Sequence, residues 1–377
     1  MHSAGPEAVD DVTALVAGPF RLHPFRGLVL SPQRVGDPAS ARAFARPYRD
    51  VAIRLERWER QGHVSRDPEP SVYLHEYTSE GLTVRGLVGV LDVSRRTTNP
   101  AERVVLPHEG VHRSQARELA KRMAEMKLNP APILLVHRGP ATARGLVHEV
   151  MSTPPDREFH DRVERHNRIW RIDDPAALAT LDEALASAQP LVADGHHRFV
   201  AYQQLQERQP GTSADRGLAM LVDQDDTPLF LGAVHRSLAE TRLSDLRAAA
   251  DGVAQVAGTD ESGAMAALGP STLVATDGRE WIRIELDLEP ERAAVHALHE
   301  DLLPRLPGKR RRIGYHHTVE EALDRLSPRR RVAILMPAPD FDLVDRIVSS
   351  HRLLPEKATS FQPKPSLGVL MRSLLDG

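Results

Sequence analysis

The segment PLVADGHHRFVAYQQLQ, residues 190–206, constrains the fold more than any other part of the chain. A short apolar run, Leu191 to Ala193, has the composition of a β-strand and ends at Asp194 and Gly195. The residues that follow carry large apolar side chains at helical spacing, namely Phe199, Tyr202 and Leu205. The sequence therefore predicts a strand, a tight turn and the N-terminus of a helix.

A helix N-terminus of this composition is suited to an anion, because it offers unpaired backbone N–H groups and the positive end of the helix dipole. Gly195 allows close approach of the backbone, and His196, His197 and Arg198 follow it directly. We predict that a phosphate is bound by Gly195 to Arg198, and that Asp194 holds a metal ion or orients a histidine. The alternative is a turn in which Asp194 caps the helix and the histidines face solvent.

Composition excludes several classes of function. The 377 residues contain 49 Lys and Arg against 52 Asp and Glu, so the net charge of −3 provides no general attraction to nucleic acid or an anionic membrane. The chain has no cysteine, which excludes disulfides, thiolate zinc sites, iron–sulfur clusters and cysteine nucleophiles. It also has no secretory signal pattern and no run of about 18 apolar residues, so we expect a cytoplasmic protein.

Strand and helix signals alternate along the chain, with several hairpins, which predicts a mixed α/β fold rather than a purely parallel sheet. Predicted strands include residues 72–77, 84–92, 132–137, 145–151 and 169–172, and predicted helices include 114–127, 175–186 and 319–326. We divide the chain into a flexible arm at 1–18, a core at 19–245, and a C-terminal α/β lobe at 246–377 that contributes a basic loop to the site.

A second candidate site follows a predicted strand, at Pro107, His108 and Glu109. Residues 108–112 spell HEGVH, which on a helix would place two zinc-binding imidazoles beside a glutamate base. Pro107 and Gly110 oppose an established helix there. A divalent-metal hydrolase that uses His108, Glu109 and His112 is therefore one hypothesis, and Glu109 as a general base or metal ligand at a strand end is another.

Two further groups of residues could bind phosphates. His235 and Arg236 close a predicted strand, and the segment EKATSFQPK offers Lys357, Thr359 and Lys364. The runs LPGKRRR and SPRRR have the composition of solvated basic patches, without the interleaved aromatic residues that stack on bases. The chain contains no Walker loop, GxGxxG or GxSxG motif.

In these motifs the chain resembles the family known as domain of unknown function 1015. The resemblance extends over most of the chain and is carried by PFRGL, the PHE after a strand, NPAPILLVH, ADGHHRF, LVDQDDTPLFLGAVHR, YHHTVEEAL and LPEKATSFQPK. The Asp194 segment is also similar to the phosphate-binding turn of the ParB/sulfiredoxin superfamily, in which His196 stands where sulfiredoxins have their reactive cysteine. Free-serine kinases of that superfamily have a related Asp-Gly-His turn and a separate glutamate base.

This resemblance implies a ParB/sulfiredoxin-like core that binds a nucleotide at Asp194 to Arg198, with Glu109 as the base. His108 and His197 are further catalytic candidates. The implied cofactors are Mg²⁺, held by Asp194 and Glu109, and a nucleoside di- or triphosphate, ATP or ADP.

Three positions depart from the family pattern. Arg49 displaces an acidic residue, the expected Asp-Arg pair reads Ala116-Arg117, and Ala358 replaces a serine. Our first hypothesis is a nucleotide-dependent phosphotransferase that acts on a small hydroxylated metabolite such as free serine. The second is a nucleotide-binding switch or adaptor without turnover, which the missing hydroxyl at Ala358 favours, and the third is the metal hydrolase described above.

Overall fold

Strands and helices alternate along the chain in the computed structural model, which describes residues 15–44, 47–308, 312–324, 326 and 331–376. In chain order the strands are β1 (Leu15–Val16), β2 (Gly27–Leu30), β3 (Val64–Arg66), β4 (Val72–Ser79), β5 (Leu82–Asp92), β6 (Arg96–Thr97), β7 (Leu128–Asn129), β8 (Ile133–His137), β9 (Arg157–His160), β10 (His166–Ile172), β11 (Leu191–Asp194), β12 (Arg216–Asp223), β13 (Phe230–Gly232), β14 (His235–Ala239), β15 (Ala254–Thr259), β16 (Thr272–Thr276), β17 (Trp281–Leu286), β18 (Ile313–His316), β19 (Arg331–Leu335), β20 (Ser360–Gln362) and β21 (Met371–Ser373).

The helices lie mostly between these strands. They are α1 (Pro38–Ala43), α2 (Val51–Arg60), α3 (Arg113–Met126), α4 (Ala141–Met151), α5 (Pro175–Leu185), α6 (His196–Arg208), α7 (Leu243–Ala250), α8 (Glu261–Ala267), α9 (Ala294–His296), α10 (Val319–Asp324) and α11 (Phe341–Ser349). The fold is therefore mixed α/β, as the sequence predicts. No helix of the described residues is long and apolar enough to cross a membrane.

Contacts divide the chain into two units. Unit 1 consists of Met1–Pro107, Val111–Leu229 and Pro363–Gly377, and unit 2 consists of His108–Gly110 and Phe230–Gln362. The chain passes from one unit to the other at 107–108, 110–111, 229–230 and 362–363, and the division of the sequence into 1–18, 19–245 and 246–377 stays a prediction.

Unit 1 is built on a seven-stranded sheet with the order β11-β8-β12-β5-β4-β10-β9. Strand β8 runs parallel to β12, and the other neighbouring strands are antiparallel. The parallel strands β8 and β12 are largely apolar and buried, as expected of strands covered on both faces. A four-stranded antiparallel sheet, β3-β2-β21-β7, brings the C-terminal strand β21 beside β2 near the beginning of the chain.

Unit 2 contains a six-stranded antiparallel sheet with the order β15-β17-β16-β19-β14-β18, and the separate pair β13 and β20. Helices α8 and α10 pack on this sheet through a small apolar cluster of buried residues, Ala264, Val274, Ala322, Ala333 and Leu335. Helix α9 continues directly into a π-helical turn, Ala297–Leu302.

Two sequence predictions of secondary structure are wrong. Residues 145–151 belong to helix α4 and not to a strand, because the buried Ala143 and Val147 are four residues apart on one helix face. Residues 103–107 form no regular strand, and only an isolated bridge from Leu106 to Leu191 remains there.

Of the predicted arm 1–18, residues 1–14 lie outside the described residues, while Leu15 and Val16 pair with β6. The basic runs near 309 and 328 also lie mostly outside them.

Candidate functional site

The predicted strand, turn and helix at Asp194 are present in unit 1. Strand β11 ends at Asp194, and helix α6 begins at His196. Gly195 between them has φ 92° and ψ 29°, in the left-handed region that favours glycine. A side chain there would also meet the Arg198 guanidinium, whose Nε would lie 3.0 Å from the added Cβ. The glycine is therefore required by the turn itself.

Two cations hold the carboxylate of Asp194. Arg198 Nη2 lies 2.5 Å from Asp194 Oδ2, and Lys364 Nζ donates to Asp194 Oδ1. Burial acts to raise the pKa of Asp194, but Arg198 and Lys364 outweigh it and hold this pKa below its usual range. Arg198 also donates to the carbonyl of Pro132 at 2.7 Å. Two nitrogens of Arg198 thus donate to protein acceptors. Arg198 and Lys364 form a pair of cations at the N-terminus of α6, the positive end of its dipole.

The two histidines of the turn have different surroundings. His196 is buried, with an exposed fraction of 9 %, whereas His197 is half-buried. Nε2 of His197 accepts a hydrogen bond from the backbone N–H of His112 at 3.2 Å, and the two rings stack with centroids 6.2 Å apart. His112 is the residue before α3, so this contact joins the beginnings of α3 and α6.

Helix α6 is fixed to the sheet of unit 1 by Tyr202. Its ring covers Gly217 of β12, where an added Cβ would lie 2.2 Å from the ring, and its hydroxyl donates to the carbonyl of Leu218 at 3.2 Å. Phe199 and Leu205 are buried beside it, as the helical spacing predicts. The N-terminus of α6 is therefore carried by a rigid element.

In unit 2, Glu109 lies against the loop formed by Glu356–Thr359, which we call the 356–359 loop. Glu109 Oε1 accepts hydrogen bonds from the backbone N–H groups of Ala358 (2.9 Å) and Thr359 (3.1 Å) and from the Thr359 hydroxyl (3.2 Å). Glu109 Oε2 accepts from the N–H of Lys357 at 3.1 Å. These donors stabilise a charged carboxylate in a fixed orientation.

His108 also contacts the 356–359 loop in unit 2. It is completely buried, and its Nε2 lies 2.7 Å from the Thr359 hydroxyl. Its ring packs edge-on against Phe361, with centroids 5.8 Å apart. The backbone N–H of Leu354 donates to the His108 carbonyl at 2.7 Å, which anchors the short segment 108–110 on the stretch that leads into the 356–359 loop.

His235 and Arg236 lie inside unit 2 on β14. His235 Nδ1 accepts from the N–H of Met336 at 3.0 Å, and burial, together with the Arg236 charge, lowers the pKa of His235 to about 4. Arg236 has an exposed fraction of 0 %, and its guanidinium donates to the carbonyls of Val234 and Lys357. Burial lowers the pKa of Arg236 to about 10, so it is still a cation at neutral pH. In this conformation neither side chain is open to a ligand.

The HEGVH segment is not helical, and the arrangement that a zinc site of this type requires is therefore absent. Helix α3 begins only at Arg113, and Glu109 forms an isolated parallel β-bridge with Leu354. His108 belongs to unit 2, whereas His112 belongs to unit 1 and contacts His197. Within the residues that the structure describes, no group of three or more His, Asp or Glu side chains could hold a metal ion.

The structure divides the predicted site residues between the units. Unit 1 holds the Asp194 turn and Lys364. Unit 2 holds His108, Glu109 and the remaining phosphate-binding candidates His235, Arg236, Lys357 and Thr359. Tyr315 was not predicted as a site residue, and its ring centroid lies 4.8 Å from the Arg236 guanidinium and 5.6 Å from Lys357 Nζ. The motif YHHTVEEAL, which contains Tyr315, was a signal that could have identified it.

The departures from the family pattern have different consequences. Ala358 contributes its backbone N–H to Glu109, and this contact does not need the missing hydroxyl. Ala116 is completely buried in α3, whereas the Arg49 side chain is largely exposed and lies 3.8 Å from Asp50.

The chain is similar to several solved structures. A mutant free serine kinase in complex with ADP is 14% identical, with 71% of this chain and 89% of that chain covered at a TM-score of 0.41. A conserved hypothetical protein from Pyrococcus furiosus is 15% identical, with 72% and 93% covered and a TM-score of 0.41. SbnI with a C-terminal truncation, from Staphylococcus aureus, is 10% identical, with 76% and 88% covered and a TM-score of 0.45.

No curated protein matches the chain. The model of the family described as protein of unknown function (DUF1015) matches residues 22–306, which is most of the sequence. The match includes the PHE motif, the Asp194 turn and the strand with His235 and Arg236. The chain therefore belongs to the DUF1015 family.

Proposed function

We propose that the Asp194 turn binds the phosphate groups of a nucleoside di- or triphosphate, ATP or ADP, and that the protein is a small-molecule phosphotransferase. One observation carries the proposal: Gly195 has a left-handed conformation at the N-terminus of α6, and Arg198 and Lys364 both donate hydrogen bonds to the Asp194 carboxylate. Backbone N–H groups at a helix N-terminus and nearby cations are what phosphate recognition requires. The similarity of ADGHHRF to the phosphate-binding turn of the ParB/sulfiredoxin superfamily supports it.

Phosphoryl transfer depends on positioning and positive charge more than on covalent chemistry. In this proposal Gly195 to Arg198 and Lys364 bind the nucleotide, and Glu109 takes the proton of the acceptor hydroxyl. Mg²⁺ would be held mainly by the phosphates, with Asp194 as its protein ligand, since Mg²⁺ commonly uses one or two carboxylates and keeps several waters. The acceptor is a small hydroxylated metabolite, with free serine as the first candidate, and the cytoplasm is the proposed location.

The first experiment is thermal unfolding with ATP, ADP, GTP and CTP at millimolar concentration with Mg²⁺. A nucleotide at 100 times its dissociation constant stabilises the folded protein by about 2.7 kcal/mol, so we expect at least one of the four to raise the unfolding midpoint clearly. Lys364→Gln should weaken binding of that nucleotide by about 10- to 100-fold, because one charge-assisted hydrogen bond contributes about 1.5–3 kcal/mol.

Lys121→Gln is the matched control, since Lys121 is an exposed lysine on α3 with a long ion pair to Glu125, at 3.9 Å. It should leave nucleotide affinity unchanged. If none of the four nucleotides shifts the midpoint of the wild-type protein, the nucleotide-binding proposal fails.

A second candidate is a nucleotide-binding switch without turnover. It is favoured by the hydrogen bonds that commit both Glu109 oxygens to the 356–359 loop. A turnover assay with ATP or ADP and a panel of hydroxylated metabolites separates the two functions. The kinase predicts turnover that Glu109→Gln lowers by about 10²–10⁴-fold with nucleotide binding retained. The switch predicts binding without turnover in both proteins.

A further inference from the structure

Two consecutive peptide groups of the 356–359 loop are held from both ends in unit 2. The N–H groups of Lys357 and Ala358 donate to Glu109, at 3.1 and 2.9 Å. The carbonyls of the same two peptide groups belong to Glu356 and Lys357, and they accept from Arg236 Nη2 at 3.5 and 3.0 Å. A peptide group whose carbonyl is bound by a cation becomes a better N–H donor, because hydrogen bonds in series polarise one another.

The backbone of this loop has the shape of an anion nest. Lys357 has φ 55°, in the left-handed region, which is strained for a residue other than glycine. Successive N–H groups around a left-handed residue point to one side and form a concave anion site. Here the N–H of Thr359 and its hydroxyl add two more donors to those of Lys357 and Ala358. A strained loop with four convergent donors is built around a negative charge.

Arg236 supplies the positive charge behind this nest. Its guanidinium is completely buried, and among the residues that the structure describes it has no carboxylate within ion-pair distance. Its Nε also has no hydrogen-bond partner there. A buried guanidinium normally pairs directly with a carboxylate. In this protein the peptide groups of the 356–359 loop lie between Arg236 and Glu109 and connect the two charges.

We propose that the backbone of Lys357–Thr359 is an oxyanion site, that the carboxylate of Glu109 is its built-in ligand, and that Arg236 is the positioning residue that maintains its shape. When Glu109 is removed, the site takes a small planar oxyanion of the carboxylate class. This site goes beyond the proposed function, because it forms in unit 2 whether or not the Asp194 turn binds a nucleotide.

Glu109→Gly tests the site directly, because it removes the carboxylate and leaves the donors in place. We expect a lower unfolding midpoint, and a saturable recovery when sodium formate or sodium acetate is added at about ten to a hundred millimolar. Sodium chloride at equal ionic strength should not reproduce the recovery. Glu289→Gly removes an exposed carboxylate elsewhere in unit 2, and it should show no saturable response to formate.

The role of Arg236 is tested in the Glu109→Gly background. Adding Arg236→Gln should weaken formate binding about tenfold, and Arg236→Lys should restore part of it, since Lys retains the charge but not the guanidinium geometry. Arg279→Gln, which removes an exposed cation of unit 2, should leave formate affinity unchanged. Equal formate affinity with and without Arg236→Gln would remove Arg236 from the proposal, and absence of any saturable formate effect would overturn the site itself.

Amide hydrogen exchange provides a test that does not require a folded Glu109→Gly protein. In the wild-type protein the amides of Lys357, Ala358 and Thr359 should be protected, and Glu109→Gln should accelerate their exchange at least about tenfold, because a neutral amide is a weaker acceptor. Unprotected amides at these three residues in the wild-type protein would contradict the proposal. This result is independent of nucleotide binding, so failure here and failure of the proposed function are distinguishable.

Discussion

Gly195 has a left-handed backbone conformation, and the Arg198 side chain lies against the position that a Cβ of residue 195 would occupy. Gly195→Ala should therefore destabilise the protein by about 1–2 kcal/mol from backbone strain, with a further cost from moving Arg198. Denaturant unfolding measures the change in free energy.

Gly145→Ala is the control, because Gly145 lies inside α4 with no atom within 4 Å of an added Cβ. It should be neutral or stabilising by up to about 1 kcal/mol, since alanine is the better helix former. Similar effects of the two substitutions would mean that the Gly195 turn is not strained as described.

The local partners of the Asp194 turn were predictable from the sequence, but its distant one was not. Arg198 lies in the first turn of α6, four residues after Asp194 at the end of β11, and the two side chains form an ion pair. Lys364 is 170 positions away, and it was predicted as a phosphate ligand without any indication that it reaches Asp194. Local spacing identifies neighbours within one element, whereas contacts between distant segments depend on the fold.

At the scale of elements, β4 and β10 carry a buried polar pair. His75 Nε2 lies 3.0 Å from Asn167 Oδ1, and His75 is 1 % exposed. Burial lowers the pKa of His75 to about 4. His75 is therefore neutral in the folded protein, while in the unfolded chain it takes up a proton near pH 6.5.

The consequence is a loss of stability in acid. Because the unfolded state binds the extra proton between about pH 6.5 and 4, the free energy of unfolding should fall in that window as the pH is lowered, by up to about 3 kcal/mol from this group. Above pH 6.5 the contribution is fully present. Denaturant unfolding at several pH values measures it.

His75→Gln should flatten this pH dependence, whereas His148→Gln should not, because the His148 side chain is 64 % exposed. An unchanged slope in His75→Gln would contradict the assignment of a neutral buried histidine.

Secondary structure was predictable where the pattern of one segment was sufficient. Strands β4, β5 and β11 and helices α3 and α6 lie where alternation or helical spacing places them. Residues 145–151 were misassigned, because a short apolar segment fits both a strand and the buried face of a helix. In the HEGVH motif the sequence was not ambiguous. Pro107 and Gly110 indicated correctly that residues 108–112 do not form a helix.

At the scale of the whole molecule, each unit is composed of segments that are far apart in the sequence. Unit 1 includes Pro363–Gly377, and strand β21 enters its four-stranded sheet between β2 and β7. Unit 2 includes only three residues, His108–Gly110, from the first half of the chain. A division at a single point in the sequence could not predict either feature, because both depend on long-range strand pairing.

The central claim is that the Asp194 turn binds nucleotide phosphates, and a crystal structure of the protein with ADP and Mg²⁺ tests it most directly. The account predicts phosphate oxygens within about 3 Å of backbone N–H groups between Gly195 and Arg198, with Lys364 turned toward them. Phosphates bound away from this turn, with Asp194 still held by Arg198 and Lys364, would contradict it.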